Sequence, residues 1–383
     1  MTAVSLGGDA PYPPVLLSDY TTLGLGGPAK AFVSASDEDT LTAAVRSADA
    51  AREPMLVIGG GSNLVIADAG FDGTVIHANT RGMSYASARD GAGRVDVTVA
   101  AGEDWDDVVA ATIAEGLAGL ECLSGIPGRA GGTPVQNVGA YGHEVAEVIE
   151  QVRVYDRQED KIRIIPNEFC TFAYRTSLFK SGRPESLLSW PDGAVPPAPA
   201  PPQPRHVVLD VTFRLARQPL STPVKYAELA AELGVAMGEQ AGAGEVRSAV
   251  LKIRARKGMV LNPGDPDTRS AGSFFTNPVI SAGEFARVEA AAADRGAGPV
   301  PCFPAGGPVK VPAAWLIEHA GFAKGYGAPG PARVSSKHTL ALVNTGDATT
   351  ADLLALAREI VYGVRAAYGV TLTPEPILIG VTL

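Results

Sequence analysis

Two hydrophobic periods run along this chain, and one gives way to the other near residue 220. Before that point short alternating runs dominate, the pattern of strands with one buried face. Ala31-Phe-Val-Ser, Met55-Leu-Val-Ile and Gly73-Thr-Val-Ile read as strands. A helix is predicted over 37–46, where Asp37, Glu38 and Asp39 place acids in a first turn that favours them. Together these make a β-α-β unit with a tight loop at 59–63. Further strands are predicted at 95–100, 148–155, 162–165 and 207–215, with a helix over 104–115. Beyond residue 220 the pattern turns helical, over 225–233, 244–257, 282–295, 312–320 and 350–368, and Pro376-Ile-Leu-Ile-Gly-Val closes as a strand. The change of texture predicts a domain boundary at 217–222.

Composition narrows the class. The 383 residues are 46% hydrophobic and 19% charged, enough to build a sizeable core in two or three domains. A net charge of −9 argues against nucleic acid as a partner. Cys122, Cys170 and Cys302 show no paired spacing, and the five histidines do not cluster, so no metal is expected. No Lys or Arg precedes Lys30, and no apolar run approaches the ~20 residues of a membrane helix. The expectation is a cytoplasmic protein with no membrane partner, and a monomer. The 191–204 stretch, rich in Pro and Ala, reads as an exposed polyproline-like loop.

Two glycine-rich tracts carry the candidate chemistry. Gly59, Gly60, Gly61, Ser62 and Asn63 follow a strand, and their backbone N–H groups suit a diphosphate that must be approached closely. The spacing is neither the dinucleotide fingerprint of a Rossmann unit nor a phosphate loop, which counts against those folds. The second tract, 124–142, packs glycines among amides with almost no charge. Such a surface offers backbone donors rather than an acid or base, and suits a planar polar ring system such as isoalloxazine.

These tracts, with Tyr174-Arg175-Thr-Ser, Gly272-Ser273-Phe-Phe-Thr-Asn277-Pro and Pro374-Glu375-Pro, resemble the UDP-N-acetylenolpyruvoylglucosamine reductase family over nearly the whole chain. Tyr226 in Lys-Tyr-Ala-Glu-Leu is similar to the substrate-domain tyrosine of its longer, type I branch. The resemblance implies an α+β fold. An FAD-binding two-subdomain module of the PCMH/vanillyl-alcohol-oxidase type (1–80 and 81–217) would be followed by a separate α+β substrate-binding domain (218–370). A segment, 371–383, would return to the active site. It implies noncovalent FAD, NADPH as co-substrate and a UDP-sugar carrying an enolpyruvyl group.

The residues carried over by resemblance are Gly59, Gly60, Gly61, Ser62, Asn63, Gly125, Ile126, Pro127, Gly128, Gly132, Asn137, Gly139, Ala140 and Tyr141 for the cofactor. For substrate they are Tyr174, Tyr226, Lys257 and Asn277, and for catalysis Arg175, Ser273 and Glu375. Hydride addition to an enolpyruvyl carbon creates an enolate, which needs stabilisation and then a proton. Arg175 offers a planar fork that matches a carboxylate-like enolate. Ser273 offers a hydroxyl that stays protonated at neutral pH. The resemblance implies that Glu375, fixed between prolines, helps stabilise the intermediate by orienting Arg175 or a water. His338 reads as a structural histidine; His143, just after the second tract, is not assigned a covalent flavin link, since the resemblance implies noncovalent FAD. Departures from the family are the 191–204 insertion, Thr276 where Lys is common, and Thr373 where an acid is often found. Two other readings are a flavin oxidase of the same superfamily and a nucleotide-binding regulator without catalysis.

Overall fold

In a computed structural model of the chain, residues 13–180 and 204–383 are described. The 191–204 loop therefore lies outside the described residues except for Pro204. The chain divides into two compact units. The first comprises Met1–Val15, Ala29–Gly61 and Phe71–Arg256, and the second Leu16–Pro28, Ser62–Gly70 and Lys257–Leu383.

The first unit opens with the predicted β-α-β element. Strands Ala29–Ala35, Phe71–Ala78 and Met55–Ile58 form a parallel sheet in that spatial order. Helix Glu38–Ala51 makes the crossover; its start is fixed by Asp37, whose carboxylate accepts the Thr40 N–H at 2.7 Å. Arg52, at a φ of 53°, ends it in the left-handed region. Leu41, Val45 and Ala48 bury one face of the helix against Met55 and Ile76. Parallel strands leave their sheet at one edge, so the loop from Gly59 is presented where open α/β sheets bind ligands.

Next comes an antiparallel sheet of Lys161–Pro166, Ile149–Asp156, His206–Arg217, Arg94–Ala100 and Met83–Ser87, in that spatial order. Helix Trp105–Ala114 packs into its core, with Trp105 and Phe213 ring centroids 5.5 Å apart. Trp105 Nε1 donates to the Leu123 carbonyl at 3.1 Å, which ties the start of the second glycine tract to that core. Residues 218–256, expected to open the substrate-binding domain, pack within this same unit. Val246, Val250 and Ile253 of helix Ala243–Arg256 share a core with Leu229 and with Cys122, beside the tract. Secondary-structure texture changes at 217, whereas compactness follows that shared core.

The second unit is built around helix Thr350–Tyr368, whose Leu353, Leu354, Ala357, Ile360 and Val364 are buried. A capping box between Thr349 and Asp352 starts it, and Asp68 accepts the Thr350 and Ala351 N–H groups at 2.7 and 3.0 Å. Leu23, Leu25 and Val65, far earlier in the chain, complete the core. Strand Ile377–Ile379 lies parallel to Leu64–Ile66. The sequence pattern missed Leu64–Ile66 because three residues cannot display a period. It missed Met83–Ser87 because four of those five side chains are exposed. A short strand, Leu342–Asn344, follows a turn in which the His338 carbonyl accepts the Ala341 N–H at 3.0 Å.

Candidate active site

In the first unit the two glycine tracts meet. A methyl group added to Gly60 would lie 2.9 Å from the Cα of Gly128, and one added to Gly59 would lie 3.1 Å from the Arg129 Cβ. Only glycine at 60 lets the two backbones approach so closely. Gly125 and Gly128 have φ of 69° and 125°, conformations that side chains resist. The Gly125 N–H donates to Asp106 Oδ1 at 2.6 Å, and Trp105 N–H donates to the Gly128 carbonyl at 3.1 Å. Helix Trp105–Ala114 thus holds the tract from behind through its first turn. Burial works to raise the Asp106 carboxyl, but the fork of Arg247 (2.6 and 2.8 Å) and the Gly125 N–H outweigh it and leave it below its ordinary value.

Further along, Asn137 is 1% exposed with a φ of 46°. Its Nδ2 donates to Glu144 Oε2 at 2.6 Å and to the Ala173 carbonyl at 3.2 Å, while its Oδ1 accepts from Ala146 N–H at 3.1 Å. Asn137 therefore knots the tract to its flanks. Tyr141 meets Tyr226 edge to face at 5.5 Å, and burial pushes its phenol up to about 12. These two predicted residues, 85 positions apart by number, are brought together.

Arg175 sits in the left-handed region at a φ of 56°. Its Nη2 donates to the Gly139 carbonyl at 3.1 Å, and its guanidinium carbon lies 5.6 Å from the Tyr174 ring centroid. Lys180 Nζ donates to Gln136 Oε1 and to the Arg175 carbonyl, each at 3.0 Å. Residues 174–180 thereby clamp the tract at 136–139. His143 is 4% exposed, with its ring nitrogens on Glu147 Oε2 at 2.9 Å and the Pro223 carbonyl at 3.0 Å, a structural position.

The second unit brings together Ser273, Glu375 and Asn63. Phe274 and Phe275, each 1% exposed, anchor the segment that carries Ser273. The Glu375 N–H donates to the Phe274 carbonyl at 2.8 Å, Phe275 bridges Pro374, and Thr276 N–H donates to the Thr373 carbonyl at 3.0 Å. Asn63 Nδ2 reaches the Glu375 carbonyl at 3.4 Å, and the Asn63 carbonyl accepts the Ile377 N–H at 2.9 Å. Ser273 is half-buried, and its hydroxyl has no hydrogen-bond partner among the described residues. Asn277 Oδ1 accepts the Ala313 N–H at 2.9 Å, capping helix Ala313–His319 and leaving its amide donors aimed elsewhere. Lys257 follows directly on the end of helix Ala243–Arg256. Among the described residues no cluster of His, Cys, Asp and Glu could hold a metal.

Comparison with known proteins matches residues 29–164 to the FAD binding domain family, and residues 265–379 to the C-terminal domain of UDP-N-acetylenolpyruvoylglucosamine reductase. A protein of that name from Thermobifida fusca is 54% identical over 96% of this chain and 98% of its own length. The chain belongs to the UDP-N-acetylenolpyruvoylglucosamine reductase family. Another family member, from Streptomyces coelicolor, is 51% identical over 98% of this chain and 90% of its own length. The crystal structure of the Thermus caldophilus reductase superposes with a TM-score of 0.58 at 26% identity, covering 96% of this chain and 98% of that one. The expected FAD-binding α+β fold and the enzyme class are thus those of the family.

The residues fit the family's FAD. The Gly59–Gly60 turn contributes no side chain of its own where it meets Gly128, and the 124–142 tract is braced along its length. The sequence reading missed Asp106, Arg247 and Arg129 in this bracing. For Arg129 a signal existed, since it is the one charged side chain between 124 and 142.

Proposed function

We propose that this chain catalyses the NADPH-dependent reduction of the enolpyruvyl double bond of UDP-N-acetylglucosamine enolpyruvate to UDP-N-acetylmuramate, a cytoplasmic step of peptidoglycan precursor synthesis. The observation that carries the reading is the pairing of 273–276 with 373–375. It sets an uncommitted Ser273 hydroxyl one residue before the segment that pairs with Thr373–Glu375. FAD, bound by residues 59–63 and 124–142, would supply the hydride-transfer chemistry that links NADPH to the substrate.

The chain's own residues do the rest. Arg175, oriented by the Gly139 carbonyl, presents its guanidinium to the carboxylate and to the enolate charge that develops beside it. Ser273 delivers its hydroxyl proton to the adjacent carbon, a transfer that is downhill to a strongly basic carbanion. Glu375 helps stabilise the intermediate by orienting Arg175 or a water. Tyr174, Tyr226, Lys257 and Asn277 hold the nucleotide portions of substrate and NADPH in turn, with Lys257 as the phosphate-facing cation. Residues 59–63 and 124–142 hold FAD noncovalently.

One anaerobic experiment tests this. NADPH added to the purified yellow protein should bleach the oxidised flavin band, and the enolpyruvyl UDP-sugar should restore it. Recovery by air but not by the sugar would point to the oxidase reading. No bleaching at all would point to a binding protein without catalysis.

A further inference from the structure

Arg129 is an unusual residue for its surroundings. It stands in a tract otherwise free of charge, and its stem lies on the turn that follows strand Met55–Ile58. A methyl group added to Gly59 would be 3.1 Å from its Cβ and 3.2 Å from its Cγ. The side chain is 19% exposed, and Nη1 donates to Asp104 Oδ2 at 3.1 Å. Its Nε is buried and finds no acceptor among the described residues.

An arginine N–H removed from water with no acceptor is destabilising, because its hydration is lost and nothing replaces it. Sites that tolerate such a cost commonly receive the missing acceptor from a ligand. Asp104 occupies only one edge of the guanidinium, and five donors in a rigid fork leave the Nε edge for a second anion. The neighbouring loop, Gly59–Gly61, is the part of the molecule suited to a diphosphate. The local field agrees: the His77 imidazole is lowered by burial first, then by Arg129 and Arg81.

We propose that the Nε edge of Arg129 binds the diphosphate of FAD, adding a side-chain cation to the backbone cradle made by Gly59, Gly60 and Gly128. The inference rests on the flavoenzyme reading above and assigns one residue to one part of the cofactor. Asp104 then acts as a positioning residue that holds the fork over the loop.

The test uses the full-length protein dialysed against graded FAD or against riboflavin, which has the same ring system and no phosphate. Arg129→Met keeps the stem on Gly59 and removes the charge. It should weaken FAD by about 10- to 100-fold and riboflavin by less than about twofold. Arg129→Lys should recover part of the loss, and the dependence of FAD affinity on salt should flatten in the methionine variant. Equal weakening of FAD and riboflavin would overturn the proposal, because the stem alone would then explain it. Unchanged FAD affinity would overturn it too. Should Arg129→Met fail to fold, Arg129→Lys carries the comparison alone, and a riboflavin loss matching its FAD loss refutes the contact. Wild-type protein that binds neither flavin would instead remove the reading on which the inference stands.

Discussion

Asn137 and Gly125 in the first unit and Ser273 and Glu375 in the second are all candidate site residues, yet they are held differently. In the first unit side chains do the holding. Asp106 accepts the Gly125 N–H, Arg247 forks onto Asp106, Lys180 bridges Gln136 to Arg175, and Asn137 makes three bonds of its own. In the second unit the main chain does it, through the bonds from Glu375 to Phe274, Thr276 to Thr373 and Ile377 to Asn63. A loop rich in glycine has little side-chain packing to fix it, so it borrows rigidity from polar neighbours. Segments joined main chain to main chain need less of that bracing, which leaves the Ser273 hydroxyl available for chemistry. Truncating a side chain should therefore damage order in the first unit and reactivity in the second.

Three substitutions probe that contrast, from the largest effect to the smallest. Ser273→Ala should leave flavin reduction by NADPH intact and slow reoxidation by the enolpyruvyl substrate by about a hundredfold to ten-thousandfold, with unchanged thermal stability. Stopped-flow traces of the two half-reactions decide it. Near-normal reoxidation would remove the hydroxyl from its role. Asn137→Ala should cost roughly 2–4 kcal/mol, since it deletes three hydrogen bonds and strands buried partners in the tract. A melting temperature lowered by several degrees, with FAD released more readily, is the expected result. An unaltered melt would mean that main-chain geometry alone orders the tract, which would dissolve the contrast.

The mildest probe is acid. Asp156 is held at about 2, chiefly by its hydrogen bonds with Arg205, against the opposing effect of burial and with help from the Gln158 and Glu159 N–H groups. A carboxyl lowered on folding stabilises the native state above its ordinary value near 3.8. That contribution fades as pH falls from about 4 toward 2. Melting temperature followed across that window should drop less steeply in Asp156→Asn than in the parent. Parallel curves would show that the pair does not contribute.

Much of this was readable beforehand, for a physical reason. Helices such as Thr350–Tyr368 and Ala282–Asp294 announce themselves through period and capping residues that are adjacent in sequence. The glycine tracts are likewise local, because backbone conformation is set residue by residue. Contacts that close over long separations left no trace in the pattern. Asp106 and Gly125 are 19 residues apart, and Arg247 and Asp106 are 141 apart. Nothing in periodicity marks Leu23 and Val65 as core partners of Leu342, nor 218–256 as part of the first compact unit. The sequence reading placed a boundary where the texture changed, at 217, but burial of Val246 beside Cys122 ignores texture.

The pairing of Ile377–Ile379 with Leu64–Ile66 also has a bearing on timing. A nascent chain emerges from the ribosome one residue after another, so Leu64–Ile66 must wait through more than 300 further residues for its partner strand. During that interval the strand Met55–Ile58, earlier in the chain, can already pair within the first unit. Residues 62–70 then have their contacts with 16–28, such as the Gly27 N–H on the Ala67 carbonyl, but lack those with residues beyond 257. The segment that carries Glu375, a candidate site residue, is thus completed only after that late partner has been made. A polypeptide cut short before residue 375 can bring Gly60 against Gly128 but lacks the segment that Asn63 pairs with.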